Sequence, residues 1–139
     1  MFLVRLIYAS TVCDNLTQND IEELLSISKK NNASVGVTGL LLFSQDYFLQ
    51  CLEGSRSQVN AIYQHILNDR RHKKVILLEY TEVAEREFGE WSMGYVPNIE
   101  LTSPVNLRYS SSKHFDPYNM SGESAPKLLV HLRKVVNIA

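Results

Sequence analysis

Cysteine is scarce in this chain. Cys13 and Cys51 are its only two thiols, and their spacing suits neither a metal site nor a disulfide framework. No apolar stretch is long enough to cross a bilayer. The first residues, MFLVRLIYAS, lack the charged start, apolar run and cleavage site of a leader peptide. Free thiols, a cytoplasmic location and no membrane association are therefore expected. Neither sign of charge is in excess: 14 Lys and Arg face 15 Asp and Glu, for a formal net charge of −1. Nothing in that balance calls for nucleic acid as a partner. The one basic run, Arg70-Arg71-His72-Lys73-Lys74, is short and reads as a solvated loop. The phosphate-cradling signatures GxxxxGK[ST] and GxGxxG are both missing.

What is present is an ordinary globule: 139 residues, 45% apolar and 21% charged, enough for one domain with a core that needs no staples. Residues 2–9, FLVRLIYA, alternate as a strand, with Phe2, Val4, Leu6 and Tyr8 on one face and Leu3, Arg5 and Ile7 on the other. Thr17 and Asp20 form a capping box, and the helix that follows runs to about Asn31 with Ile21, Leu24, Leu25 and Ser28 along a stripe. Gly36 and Gly39 flank the entry to the buried-strand run VTGLLLF, which turns at Ser44-Gln45-Asp46 into YFLQCLEG. Ser55 and Gln58 make a second capping box, before a helix with Val59, Ile62, Tyr63, Ile66 and Leu67 on its packed side. VILLEYTEV at 75–83 and WSMGYV at 91–96 are the fourth and fifth strands.

The order β-α-β-β-α-β-β is ferredoxin-like with one added strand, an α+β fold with both helices on one sheet face. Past Pro97 the pattern weakens, and residues 98–123 read as irregular with room for one short helix. Ser124-Ala125-Pro126 reads as an N-cap followed by a first-turn proline. It opens a short amphipathic helix carrying Leu128, Leu129, Leu132, Val135 and Val136. Residues 1–97 are expected to form the working domain and 98–139 a helical extension, not a second domain.

The informative residues are polar ones that the pattern places inside. Gln50 shares a strand face with Phe48 and Leu52, and a buried amide left unpaired costs about 1–3 kcal/mol. Tyr8 lies at the end of the first strand, and its hydroxyl reaches Gln50 if those two strands are neighbours. Asn32, at a helix end, is a third candidate for the same pocket. Each has an ordinary explanation when taken alone: a half-exposed strand glutamine, a core aromatic, a helix cap. His65 and His72 have no partners for a metal site, and Trp91 and Met93 read as core packing.

Five fragments in order carry a resemblance: RLIYAS at 5–10, NNASVGVTGLLLF at 31–43, FLQCLEG at 48–54, the D-x-R-H of Asp69–His72, and F-x-x-W-S-M at Phe88–Met93. Together they resemble the BLUF family of flavin-binding blue-light sensors, and the size resembles its short members. The resemblance implies a flavin held between the two helices and against the sheet. FAD is the expected cofactor, with FMN or riboflavin as alternatives. Tyr8 matches the photochemical tyrosine, Gln50 the essential glutamine and Asn32 the asparagine at the isoalloxazine ring. Ser28, Asn31, Leu41, Phe48, Asp69, Arg71 and His72 match positions lining the ring or approaching the ribityl-phosphate chain. Trp91 and Met93 match the relay residues of the fifth strand, either of which could face the pocket.

The mechanism so implied is that Tyr8 transiently reduces the excited flavin through Gln50. Recombination then leaves the Gln50 amide rotated or tautomerised, hydrogen-bonded to the flavin C4 carbonyl. It further implies a sensor that is not an enzyme, with a downstream protein as light-dependent partner and self-association into a homo-oligomer. The competing classes are a flavin oxidoreductase or small hydrolase on the same scaffold, and an RNA-binding module. The RNA-binding module would want paired aromatics on a basic sheet face; these strand faces are aliphatic.

Overall fold

The computed structural model describes residues 2–44, 46–96 and 103–135. Five strands, β1 (Leu3–Val12), β2 (Thr38–Phe43), β3 (Tyr47–Ser55), β4 (His72–Val83) and β5 (Gly94–Val96), form one sheet in the order β4-β1-β3-β2-β5. All neighbouring pairs are antiparallel except β2 with β5, which are parallel. Helices α1 (Gln18–Ser34), α2 (Arg56–Leu67), α3 (Ser103–Tyr109) and α4 (Ser124–Val135) complete the fold, with a 3-10 turn at Pro117–Asn119. The α+β, ferredoxin-like plan with an added strand is what the periodicity predicts.

Alternation along the central strands creates two cores. Val4, Leu6, Tyr8, Leu41, Phe48 and Leu52 face α1 and α2, which contribute Ile21, Leu24 and Val59. Ile7, Leu40, Leu42, Leu49 and Cys51 face the other way and are covered by Leu128, Leu129 and Leu132 of α4. Each of these three leucines is at most 1% exposed, and such burial stabilises by about 1.5–3 kcal/mol per side chain. The tail helix thus closes the second face of the sheet and makes the domain three layers deep.

The helix starts follow from capping. Thr17 and Asp20 exchange side-chain-to-backbone hydrogen bonds, satisfying donors that a helix leaves orphaned. Ser55 accepts from the Gln58 backbone N–H. At α4 the accepting side chain is Ser121, which takes the Ser124 N–H at 3.0 Å, so the cap lies three residues earlier than the expected Ser124. Two further expectations shift. Leu67 is 48% exposed and not part of the packed stripe of α2, whose last inward residue is its neighbour Ile66. Strand β5 begins at Gly94, not at residue 91, so Trp91 and Met93 precede the strand. Pairing with β2 extends only over Leu40–Leu42, while the Trp91 carbonyl accepts from Gly39 N–H at 3.0 Å. Val136 and the expected boundary at residues 97–98 lie outside the described residues.

One close approach locks the sheet. A Cβ on Gly39 would fall 1.9 Å from the Cys51 carbonyl oxygen, so no side chain fits there. Gly36, with φ +69°, occupies the left-handed region that turns the chain from α1 into β2.

Candidate functional site

Between α1 and α2, against the sheet, lies a cleft of about 500 Å³. Its apolar walls are Leu24, Ile27, Ile62 and Ile66, and its floor is Leu41 and Gln50. Gln50 is placed by register: it sits directly opposite Tyr8 across β1/β3 and opposite Leu41 across β2/β3. Side chains opposite one another share a face, so the Tyr8 hydroxyl reaches the glutamine and donates to its Oε1. Gln50 Nε2 in turn donates to Met93 Sδ at 3.4 Å. Tyr8 is fully buried and Gln50 is 6% exposed. Burial pushes the Tyr8 phenol well above its ordinary value, and the charge of Asp69 adds to the rise.

Asn32 is fixed by the end of α1. Its carbonyl accepts from the N–H groups of Val35 and Val37 as the chain turns at Gly36, and its Nδ2 donates to the Ser92 carbonyl at 3.0 Å. The two amides of the site therefore grip adjacent residues, Ser92 and Met93, just ahead of β5. Trp91, the next residue back, faces the opposite way and packs with the core under α4. Of the two candidate relay residues, Met93 touches the site and Trp91 does not.

The mouth of the cleft is polar. Asp69 folds back as an Asx turn, accepting from the Arg71 backbone N–H at 2.9 Å and from the Arg71 guanidinium at 2.7–3.1 Å. Burial alone would raise the Asp69 carboxyl, but the Arg71 hydrogen bonds overcome it and hold the group below the usual range. His72 lies beneath, its Nδ1 2.8 Å from Ser10 Oγ and its ring centroid 4.6 Å from that of Phe48. Ser28, Asn31, Asn32, Leu41, Gln50, Asp69, Arg71 and His72 all line the cleft, while Tyr8 and Phe48 form the layer under it.

The sequence reading missed the α2 wall: Gln58, Ala61, Ile62, His65 and Ile66 also line the cleft. Their i, i+3, i+4, i+7, i+8 spacing is one helix stripe, a signal that was available. Glu53 was missed as well. It is fully buried on the α4 side of β3, where its carboxylate accepts from Arg5 Nε at 3.0 Å and from the backbone N–H groups of Glu87 and Phe88. Those bonds pin the loop that leads to Ser92 and Met93.

Burial lowers the His72 imidazole from 6.5 to about 4; Asp69 opposes the fall and Arg71 adds to it. The folded state thus favours the neutral ring, and stability present above pH 6.5 is lost as the pH falls toward 4. Chemical denaturation is expected to show about 2 kcal/mol less stability at pH 5 than at pH 8 from this group. In His72→Gln that part of the pH dependence should vanish; an unchanged slope would contradict the assignment.

An α+β domain with a ligand-sized cleft lined by two amides, those of Asn32 and Gln50, has the form of a small-molecule-binding module. The chain belongs to the BLUF family, sensors of blue light using FAD, whose family model matches residues 3–94. It is 40% identical over 91 residues to the blue light- and temperature-regulated antirepressor BluF of Escherichia coli, covering 66% of this chain and 23% of that protein. It is 31% identical over 101 residues to the photoactivated adenylate cyclase subunit alpha of Euglena gracilis, covering 70% of this chain and 10% of that one. The chain thus spans about a quarter or less of these curated relatives. The solved structure of BlsA in its photo-activated state superposes with a TM-score of 0.89 at 26% identity, over 99% of this chain and 98% of that one. Among the described residues no helix is long and apolar enough to cross a membrane.

Proposed function

We propose that this chain binds FAD in the cleft between α1 and α2 and converts blue light into a changed contact with a downstream protein. The observation that carries this reading is the buried line from Tyr8 through Gln50 to Met93 on the cleft floor. The residues present suit a flavin. Apolar walls on both helices accept a flat ring, and the Asn32 and Gln50 amides each offer a donor and an acceptor to its polar edge. Ser28, Asn31, Asp69, Arg71 and His72 would hold the sugar and phosphate side at the mouth. The bound flavin supplies blue-light absorption and a transient electron acceptor.

Tyr8 then gives up an electron together with its proton, which leaves along the hydrogen bond to Gln50 Oε1. The phenol is protonated at neutral pH, and its burial disfavours a lone charge, so the proton leaves together with the electron. Both return to Tyr8, and no net oxidation remains. Gln50 is left with its amide turned or tautomerised, which removes the Nε2 contact with Met93. Because Asn32 holds Ser92 next door, this short segment ahead of β5 has two hydrogen-bonded arrangements, the kind of bistable element that a switch needs. The antirepressor among the relatives supports an output through protein contact.

Light-minus-dark absorption spectroscopy on the flavin-loaded protein tests this. A small red shift that reverses in the dark is expected. Steady bleaching by NADH in the dark, with no such shift, would instead identify a flavin oxidoreductase.

A further inference from the structure

On the sheet face opposite the cleft, a groove of about 640 Å³ runs between α3 and α4. Tyr109, Pro126 and Val130 supply its apolar part, and Arg108, Lys127 and Lys134 its exposed basic rim, with His131 beside Tyr109 at 5.6 Å between ring centroids. Lys127, His131 and Lys134 follow the i, i+4, i+7 spacing of one helix stripe. Among the described residues the only carboxylate lining the groove is Glu87, and it is already taken. Arg133 pairs with it at 2.8 Å and also donates to its backbone carbonyl. Arg5, at the groove's edge, is likewise paired with Glu53 and Glu79. Arg108, Lys127 and Lys134 enter no ion pair among the described residues. In a chain whose formal charge is −1, this leaves an uncompensated positive strip around an apolar floor.

We propose that this groove docks an acidic segment of the sensor's protein partner, one that carries apolar side chains between its carboxylates. The charge complementarity selects the sign, and the Tyr109–Val130 floor selects a peptide over a bare anion. Three cations outside ion pairs, of which Arg108 also lies over the Tyr109 ring, fall short of the about six to ten phosphate contacts of a strongly salt-dependent duplex binder. The groove is also wired to the light-sensing site. Glu87 forms part of its wall, is held by both Glu53 and Arg133, and lies in the loop that continues into Ser92 and Met93. The proposal names the partner chemistry of the function proposed above and rests on that reading.

Fluorescence anisotropy with a fluorescein-labelled peptide of alternating glutamate and leucine, added to the flavin-loaded protein, tests it. Saturable binding that weakens with added salt is expected. In the combined variant Arg108→Glu, Lys127→Glu, Lys134→Glu it should be weaker by roughly tenfold or more. The blue-light red shift of that variant should match the wild type, which shows that the fold and the cleft are intact. Equal binding by the variant, or none by the wild type with a normal red shift in both, overturns the groove and leaves the sensor reading standing. Tighter binding of a labelled single-stranded oligonucleotide or of phosphatidylserine vesicles through the same residues overturns the peptide chemistry. A wild type with no red shift overturns the sensor reading itself.

Discussion

Replacing Tyr8 by phenylalanine is expected to leave the protein folded and yellow but blind: its light-minus-dark spectrum should be flat where the wild type shows a red shift. The ring itself does ordinary packing work. It lies 5.8 Å, centroid to centroid, from both Tyr63 and His72, and phenylalanine keeps those contacts. The hydroxyl donates to Gln50 Oε1. Removing it leaves a buried amide oxygen short of a donor, at a cost of about 1–3 kcal/mol, which a domain of this size can tolerate. Phenylalanine is also a far poorer electron donor and has no acidic proton to pass on, so the photochemical step loses both of its carriers together. Flavin content, read from the absorbance of the purified variant, should stay near the wild-type ratio because Tyr8 lies under the cleft and does not line it. A red shift of normal size in Tyr8→Phe would overturn the proposed role.

The largest stability effect is expected away from the cleft, at Glu53. This carboxylate is fully buried and gathers three donors: the Arg5 guanidinium and two backbone N–H groups of the 84–90 loop. Glu53→Ala strands all of them at once. Breaking one side of a buried ion pair costs about 3–5 kcal/mol, because the remaining charge has lost its partner without regaining water. Glu79, paired with Arg5 at 3.7 Å, does not replace it. Burial raises the Glu79 carboxyl above its usual range, and its Oε1 already lacks a hydrogen bond. Urea unfolding should therefore show a drop of that order in Glu53→Ala and a smaller one in Glu53→Gln, which retains an acceptor oxygen. A loss below about 1 kcal/mol would mean that Arg5 and the loop find other partners. Because the loop leads to Ser92 and Met93, a variant that survives should also show altered dark recovery of the red shift.

Much of the site could be read from residue order. The alternation in FLVRLIYA and FLQCLEG puts Tyr8 and Gln50 on inward faces, and the Asn31-Asn32 pair marks the end of α1. Glu53 escaped notice because a charged residue near the end of a strand looks like the way out to solvent. It is inside only because the 84–90 loop folds over it. Trp91 and Met93 looked equivalent since alternation places both on one strand face. The strand begins after them, so alternation does not govern which way they point, and they part to opposite cores.

The tail shows the same division. Apolar spacing in residues 124–135 defines an amphipathic helix, and an open sheet face is the expected place for it, as the structure has it; which residues of that face it meets is not in the spacing. The sequence by itself determined the element order, the buried faces, the capping of α1 and the family, because these depend on local periodicity and on short ordered motifs. The tertiary structure alone decided that Tyr8 stands opposite Gln50, that Met93 and not Trp91 touches that amide, and that a basic groove lies beside α4. Each of these is a pairing between segments far apart in the chain, set by strand register and by which sheet face remained open, and local pattern carries no record of either.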